Sequence, residues 1–364
     1  MYGKMPPKSI VIGFAILAAL LYSISSPAAK LLLTDIPPAL LAALLYLGAG
    51  LGMTGIHLLR REEIAPQEKL SRTDLPYILG MIILDIAAPL LLMFGLTMTT
   101  AANASLLNNF EIVTTSVIAL LIFHEAITRR LWIAILLIVG ASILLTIENA
   151  GSLSFSPGSI LILLACGAWG FENNCTRMLS RKNPVEIVMI KGLGSGTGAF
   201  LIAIAIGEVT GTLPGIGAAL LLGFFAYGLS IYFYVTAQRY LGAARTSAFY
   251  AVAPFMGVGL SMILFATPLT ASFLLATVIM ILGAYIAATG GHRHRHIHTP
   301  LTHKHSHSHD DGHHTHSHPH PPIHTPGTPD PIVHSHIHTH EAVTHTHPHG
   351  SDLHHTHGHH DRDA

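Results

Sequence analysis

A chain of 364 residues that is 50% hydrophobic and 10% charged carries far less charge than the ~25% of an ordinary soluble domain. Its net charge is +0 with histidine neutral, which excludes bulk electrostatic attraction to nucleic acid as a basis for function. The two cysteines, Cys166 and Cys175, would lie about 13 Å apart on one helix, beyond disulfide reach, so no disulfide framework is expected.

Apolar runs long enough to cross a bilayer, about 18 residues or more, recur from Ile10 to Ala288. Lys4, Lys8, the apolar core from Ile10 and Pro27-Ala28-Ala29 imitate a secretory signal. We read this stretch as an uncleaved first span, because its counterpart later in the chain keeps its own opening helix. Ten spans are expected, near 9–33, 37–59, 75–97, 100–123, 131–147, 158–180, 184–206, 214–238, 243–265 and 270–289. The connections between them are mostly brief, so consecutive helices pack antiparallel. Inside lipid each backbone amide must be satisfied within its own helix.

Lysine and arginine sort the connections by side. Lys4 and Lys8 precede the first span, Arg60, Arg61, Lys69 and Arg72 fill the second connection, and Arg129 and Arg130 fill the fourth. Arg181 and Lys182 occupy the sixth, Arg239 and Arg245 flank the eighth, and Arg293 and Arg295 follow the tenth span. The odd connections carry Asp35, Glu148 and Glu208 instead. The expectation is a multi-pass protein of the cell membrane with both termini in the cytoplasm.

The chain also repeats itself. Thr100–Thr128 matches Gly242–Thr270 at a constant offset, with Ala101, Ala102, Ser105, Phe123 and Thr128 meeting Ala243, Ala244, Ser247, Phe265 and Thr270. A second register sets Ile16–Pro37 against Leu163–Pro184, where Tyr22 meets Trp169, Lys30 meets Arg177 and Pro37 meets Pro184. Five helices per half is an odd number, so the second half enters the membrane inverted. Matched positions then trade charge by side: Asp35 becomes Lys182, Asn103 becomes Arg245, and Arg129 and Arg130 become Ala271 and Ser272. The fold expected is all-α and integral to the membrane, ten transmembrane helices as two inverted five-helix repeats. The divisions fall at 1–150, 151–291 and a His-rich tail, 292–364.

The openings LLYSISSPAAK and AWGFENNCTR carry a family resemblance. So do TAANASLLNN…LLIFHEAIT with LLIVGASILL, and GAARTSAFYAVAP…LFATPLT with MILGAYIAA. Over roughly residues 9–290 the chain resembles the ten-helix EamA-like branch of the drug/metabolite transporter superfamily. It departs in two places: Glu111-Ile112 stands where the fourth helix often carries proline, which Pro254 supplies in the second half, and Glu125 becomes Thr267. The resemblance implies secondary transport of a small metabolite by alternating access, and we expect an amino-acid or drug-like solute moved outward with proton coupling. It implies no enzyme activity and no required cofactor; the lipid bilayer and a small-molecule substrate are the partners. In agreement, the sequence holds no phosphate-binding Gly-x-x-x-x-Gly-Lys loop.

An ionised side chain at the bilayer centre costs about 2.5–3.5 kcal/mol on insertion scales, so mid-span carboxylates mark candidate sites. Asp85, Glu111 and Glu172 qualify. Asn108, Glu111 and Thr115 fall on one helical face by three-and-four spacing, and a carboxyl at that depth is suited to loading and releasing a proton; a structural hydrogen bond between helices is the plainer reading. Asp85, four residues before Pro89, could serve a proline-loosened turn. Glu172, with Asn173 and Thr176 after Trp169, resembles a pocket wall, although Arg177 is near enough for an ion pair. Lys191 joins the candidate pathway, and its plainer reading is a side chain snorkelling to the cytoplasmic face. Lys30 and Arg177 are expected near opposite faces, as anchors or anion contacts. Glu125 is expected to pair with Arg129 and Arg130, and His57 and His124 to sit at the interface. Gly192, Gly194, Gly196 and Gly198 are expected to let helices approach closely.

Of 28 histidines, all but His57 and His124 lie from His292 onward. Interspersed Pro, Thr, Ser and Gly deny this tail a core, and disorder is expected. Neutral imidazole binds Zn, Ni, Co and Cu, and a spacing of two brings successive rings to one side of an extended chain. Candidate ligands are His294, His296, His298, His303, His305, His307, His309, His334, His336, His338 and His340. A competing reading follows: a transition-metal (Ni/Co/Zn) transporter, or a metal-regulated one, whose tail collects the ion. It lacks a histidine in mid-span, which places it second.

Overall fold

The computed structural model describes residues 8–60, 70–123, 128–149, 154–179, 182–241, 246, 249–266 and 269–288, together with 292–298, 301–307, 334–340 and 343–349. Over the first 288 residues helices dominate. The first segment is α1 (Lys8–Ser23) continued by α2 (Ser25–Leu32); α3 (Pro38–Arg60) and α4 (Leu75–Met98) follow as single helices. The fourth segment is split into α5 (Ala101–Leu107) and α6 (Phe110–Phe123), and α7 (Arg129–Thr146) is the fifth. In the second half come α8 (Pro157–Met178) and α9 (Pro184–Ala205). The eighth segment is α10 (Leu213–Gly223), a π-helical turn at Phe224–Leu229, and α11 (Ser230–Leu241). The last two are α12 (Ala253–Phe265) and α13 (Ala271–Ala288). Between the halves, β1 (Ile147–Asn149) pairs antiparallel with β2 (Ser154–Phe155).

Helix starts follow from local chemistry. Thr100, Thr128, Ser156, Asn183 and Thr212 each accept a hydrogen bond from a first-turn amide. Pro157, Pro184 and Pro214 sit in first turns, where their missing N–H costs nothing. Eight helical stretches among the described residues are long and apolar enough to cross a membrane by length and composition. Ten were expected. The sixth segment falls outside that set because Glu172, Asn173, Asn174, Thr176 and Arg177 gather in its last turns, and the ninth because α12 has 13 residues. Large apolar side chains such as Leu136, Ile263 and Val278 point outward, as a lipid-facing surface requires.

The fourth segment was expected as one helix, and the structure breaks it at Asn108–Asn109. No proline causes the break. Asn109 donates its side-chain amide to the Leu106 carbonyl at 3.0 Å, competing with the backbone ladder. The amides of Asn109, Glu111 and Ile112 reach back three residues instead of four. The second half turns at Ala251–Val252, just before Pro254, within one residue of the position the repeat offset assigns.

Packing obeys the exchange of halves. The second segment packs on the seventh (α3 on α9), the fourth on the ninth (α5 on α12) and the fifth on the tenth (α7 on α13). Each of these pairs maps onto itself when the halves are swapped. The third packs on the sixth (α4 on α8), and its mirror, the eighth on the first (α11 on α1), is present too. Glycines permit the closest of these approaches, as expected. A Cβ on Gly192 would lie 2.3 Å from the Gly50 backbone nitrogen, and one on Gly196 would lie 2.6 Å from that of Leu47. Gly194 and Gly198 meet Ile82 and Ile86 of α4.

Connections sort by side as antiparallel threading demands. Lys182 pairs with Asp74 at 3.0 Å, joining the sixth connection to the second. Glu208 accepts from the Ala39 amide at 2.8 Å, joining the seventh to the first and capping the start of α3. Asn103 donates to Leu145 O at 3.4 Å and Ser159 Oγ at 3.0 Å, joining the third to the fifth. Cys166 and Cys175 are both free thiols. Arg61, Lys69, His124, Glu125, Arg181, Arg245 and Thr267 lie outside the described residues.

The tail is a unit of its own from His292 to His349. Its described backbone pairs antiparallel: β3 (His292–His298) with β6 (Val343–His349), and β4 (Leu301–His307) with β5 (His334–His340). Each ladder has two strands, which in isolation are marginal in water. His309 lies outside the described residues.

Candidate functional site

The buried charges meet where α3, α4, α8 and α9 converge. Lys191 lies in α9 beside Gly192, whose missing side chain brings α9 against α3. Its ammonium sits 3.0 Å from Asp85 Oδ2 and 2.9 Å from Glu172 Oε2. Asp85 is 0% exposed, Glu172 1% and Lys191 7%. The Tyr46 hydroxyl donates to Asp85 Oδ1 at 2.9 Å, and the Trp169 indole N–H donates to Tyr46 at 3.3 Å. Thr176 donates to Glu172 Oε1. Each carboxylate therefore has a cation on one oxygen and a hydroxyl on the other, the arrangement that makes a buried ion pair tolerable.

Two expectations change here. Lys191 does not snorkel to the membrane face; it turns inward because two carboxylates on α4 and α8 offer stronger partners than the interface. Asp85 does not serve the turn before Pro89, since Tyr46 and Lys191 engage both its oxygens.

A second cluster stands across α8. Asn173 donates to Glu111 Oε1 at 2.6 Å and reaches Thr115 Oγ1 at 3.3 Å. Asn174 donates to the Thr115 carbonyl at 3.1 Å, and Thr114 to the Cys166 carbonyl at 2.7 Å. Gly170 lets α6 come this close, since a Cβ there would lie 2.3 Å from Thr114 Oγ1. Glu111 thus faces a neighbouring helix and is half-buried. Glu172 and Asn173 are adjacent on α8, so one helix joins the Lys191 cluster to the Glu111 cluster.

Asn108 belongs elsewhere. Asn108 stands at the break in the fourth segment, between α5 and α6. It lines a cavity of about 10 Å³ with Tyr22, Ser25, Ser105 and Pro254, room for about one water. The side-chain oxygens of Ser105, Asn108 and Asn109 have no hydrogen-bond partner among the described residues. Tyrosine rings surround this region, with Tyr22 at 6.2 Å from Tyr227 and 5.6 Å from Tyr250, and Tyr46 at 5.4 Å from Tyr227. At the face of the odd connections a wider cavity of about 390 Å³ is lined by Thr97, Thr99, Thr100, Asn103 and Ser156.

Lys30 donates to the carbonyls of Leu96 and Thr99, at 2.5 and 2.9 Å, and so serves the end of α4 as an anchor. Tyr46 and Tyr227 escaped the sequence reading. The signal for each was a tyrosine hydroxyl in mid-span, where lipid offers it no partner. Among the described residues no group of three or more His, Cys, Asp or Glu is placed to hold a metal ion. The tail histidines occupy strand positions, with His294, His296, His298, His303, His305, His307, His334, His336, His338 and His340 in paired backbone.

The EamA-like transporter family matches residues 9–147 and 156–289, once in each half. An uncharacterized transporter of Methanothermobacter thermautotrophicus is 27% identical over 294 residues, covering 76% of this chain and 85% of that protein. A solved crystal structure shares the fold with a TM-score of 0.57 at 18% identity, over 77% of this chain and 98% of that one.

Proposed function

This chain belongs to the EamA-like transporter family, and we propose that it exports a small amino-acid or drug-like metabolite by proton-coupled alternating access. One observation carries the reading: Asp85 and Glu172 share the ammonium of Lys191, and Glu111 is tied through Asn173 to the same helix, α8. An uncompensated charge sealed from water costs several kcal/mol. The surplus carboxylate is therefore suited to carry a proton when the pathway opens to one side and to release it, or exchange it for a polar group of the solute, when the pathway opens to the other. Glu111 is the group assigned this task, because Asp85 and Glu172 already share Lys191. Asn173 and Thr115 hold its carboxyl toward α8, and the paired breaks at Asn108–Asn109 and Ala251–Val252 give the two halves matching points at which to flex. In this reading both termini are cytoplasmic, which the lysine and arginine distribution supports, and protease added outside intact cells is expected to leave the tail uncut.

The test is transport by the purified protein in liposomes under an imposed pH gradient, with a radiolabelled amino-acid mixture. Gradient-driven accumulation is expected, and Glu111→Gln is expected to abolish it while leaving downhill exchange in place. Undiminished gradient-driven accumulation by Glu111→Gln contradicts the reading. Flux of Ni²⁺ or Zn²⁺ that vanished with the same substitution would favour transition-metal transport in its place.

A further inference from the structure

The small cavity where α1, α2, α5 and α12 meet holds polar groups that the fold leaves unused. Ser105 is 3% exposed and Asn108 6%, and neither the Ser105 hydroxyl nor the Asn108 side-chain oxygen has a hydrogen-bond partner among the described residues. An unpaired polar group in a sealed interior is costly, and here two of them border one space. A third oxygen joins them. In a continuous α-helix the Ser23 carbonyl would take the amide of residue 27, but Pro27 has no N–H to give. Gly257 of α12 keeps the space open in front of both: a Cβ there would stand 2.9 Å from Ser105 Oγ and 3.0 Å from the Ser23 carbonyl oxygen. Pro254 loosens α12 at the same level, having no N–H for the Tyr250 carbonyl. Among the described residues that line the cavity none is basic, and Lys191 is held by Asp85 and Glu172.

We infer that this cavity seats a primary ammonium group, so that the solute is recognised as a primary amine, amino acids included. Three acceptors from three parts of the chain, Ser23 O, Ser105 Oγ and Asn108 Oδ1, match the three N–H donors of such a group. The volume, about 10 Å³, suits a head the size of one water. Tyr22 borders the cavity and stands 6.2 Å from Tyr227 and 5.6 Å from Tyr250. Tyrosine faces attract an organic cation and give its hydrocarbon part a surface to lie on. A counter-charge is near along the chain, since the Glu111 amide donates to the Asn108 carbonyl at 3.1 Å. A carboxylate in the same seat would find no cation. The inference rests on the transport reading for access to the cavity, and names the group by which the solute is held there.

The experiment is equilibrium binding to the full chain in nanodiscs, with no gradient imposed, so its outcome is separate from that of the transport assay. Radiolabelled 2-phenylethylamine is the probe, competed by 3-phenylpropionate, by the N,N,N-trimethyl derivative of the amine and by sodium chloride. Saturable binding of the amine is expected. The carboxylate and sodium at equal concentration are expected not to displace it, and the trimethyl compound, which has no N–H, to compete about tenfold more weakly than the amine itself. Ser105→Ala removes an unpartnered hydroxyl, and is expected to keep or raise thermal stability while weakening amine binding by about tenfold, the worth of one hydrogen bond to a charged group. Gly257→Ala, which fills the space, is expected to weaken binding at least as much. The inference is overturned if no amine binding saturates, if Ser105→Ala binds the amine as the native chain does, or if the carboxylate, sodium or the trimethyl compound competes as well as the amine. Absent amine binding in a protein whose gradient-driven transport survives would strike the seat and leave the transport reading standing. Intact amine binding beside undiminished transport by Glu111→Gln would strike the proton coupling and leave the seat.

Discussion

Lys191 is held between two carboxylates that have no other cation among the contacts described, at 3.0 and 2.9 Å. Removing one partner of a buried ion pair leaves a charge without compensation, and the cost is about 3–5 kcal/mol. Lys191→Met is therefore expected to lower thermal stability in detergent by that order, and adding Glu172→Gln to recover part of the loss. A Lys191→Met protein that melts with the native one would contradict the network. The three members stand at 85, 172 and 191, on three helices, so no local spacing reveals their meeting. Taken helix by helix, Lys191 looks like an interfacial lysine and Asp85 like a companion of Pro89. What the sequence did expose was the cost of placing Asp85, Glu111 and Glu172 in mid-span, which marked all three as needing partners.

Helices met by backbone contact leave a clear signature in glycine. Gly192 faces the Gly50 backbone, where a Cβ would stand 2.3 Å from nitrogen, whereas a Cβ on Gly140 meets nothing within 4 Å. Gly192→Ala is expected to destabilise by about 1–3 kcal/mol through overpacking, and Gly140→Ala to be neutral or stabilising by up to about 1 kcal/mol. Thermal unfolding of the two variants side by side checks this, and equal stabilities would contradict the packing of α3 on α9. Span positions were legible because hydrophobic runs are local. The break at Asn108–Asn109 was hidden, since it depends on an asparagine amide choosing a carbonyl three residues back. The π-helical turn at Phe224–Leu229 likewise has no simple marker in the sequence.

At the scale of the molecule, the packing of second on seventh, fourth on ninth and fifth on tenth segments returns what the internal repeats imply: two five-helix units related by exchange. The alternation of basic and acidic connections finds its counterpart in the contacts Lys182–Asp74 and Glu208–Ala39, which join loops of like side. The central claim is that the two units expose Glu111 alternately to either side of the membrane. Its most direct measurement places a cysteine next to that carboxyl, Thr115→Cys in a Cys166→Ser, Cys175→Ser background, and follows its reaction with a membrane-impermeant thiol reagent applied to each side in turn. The account predicts reaction from both sides. Reaction from one side alone, or reaction confined to a lipid-soluble reagent, would contradict it.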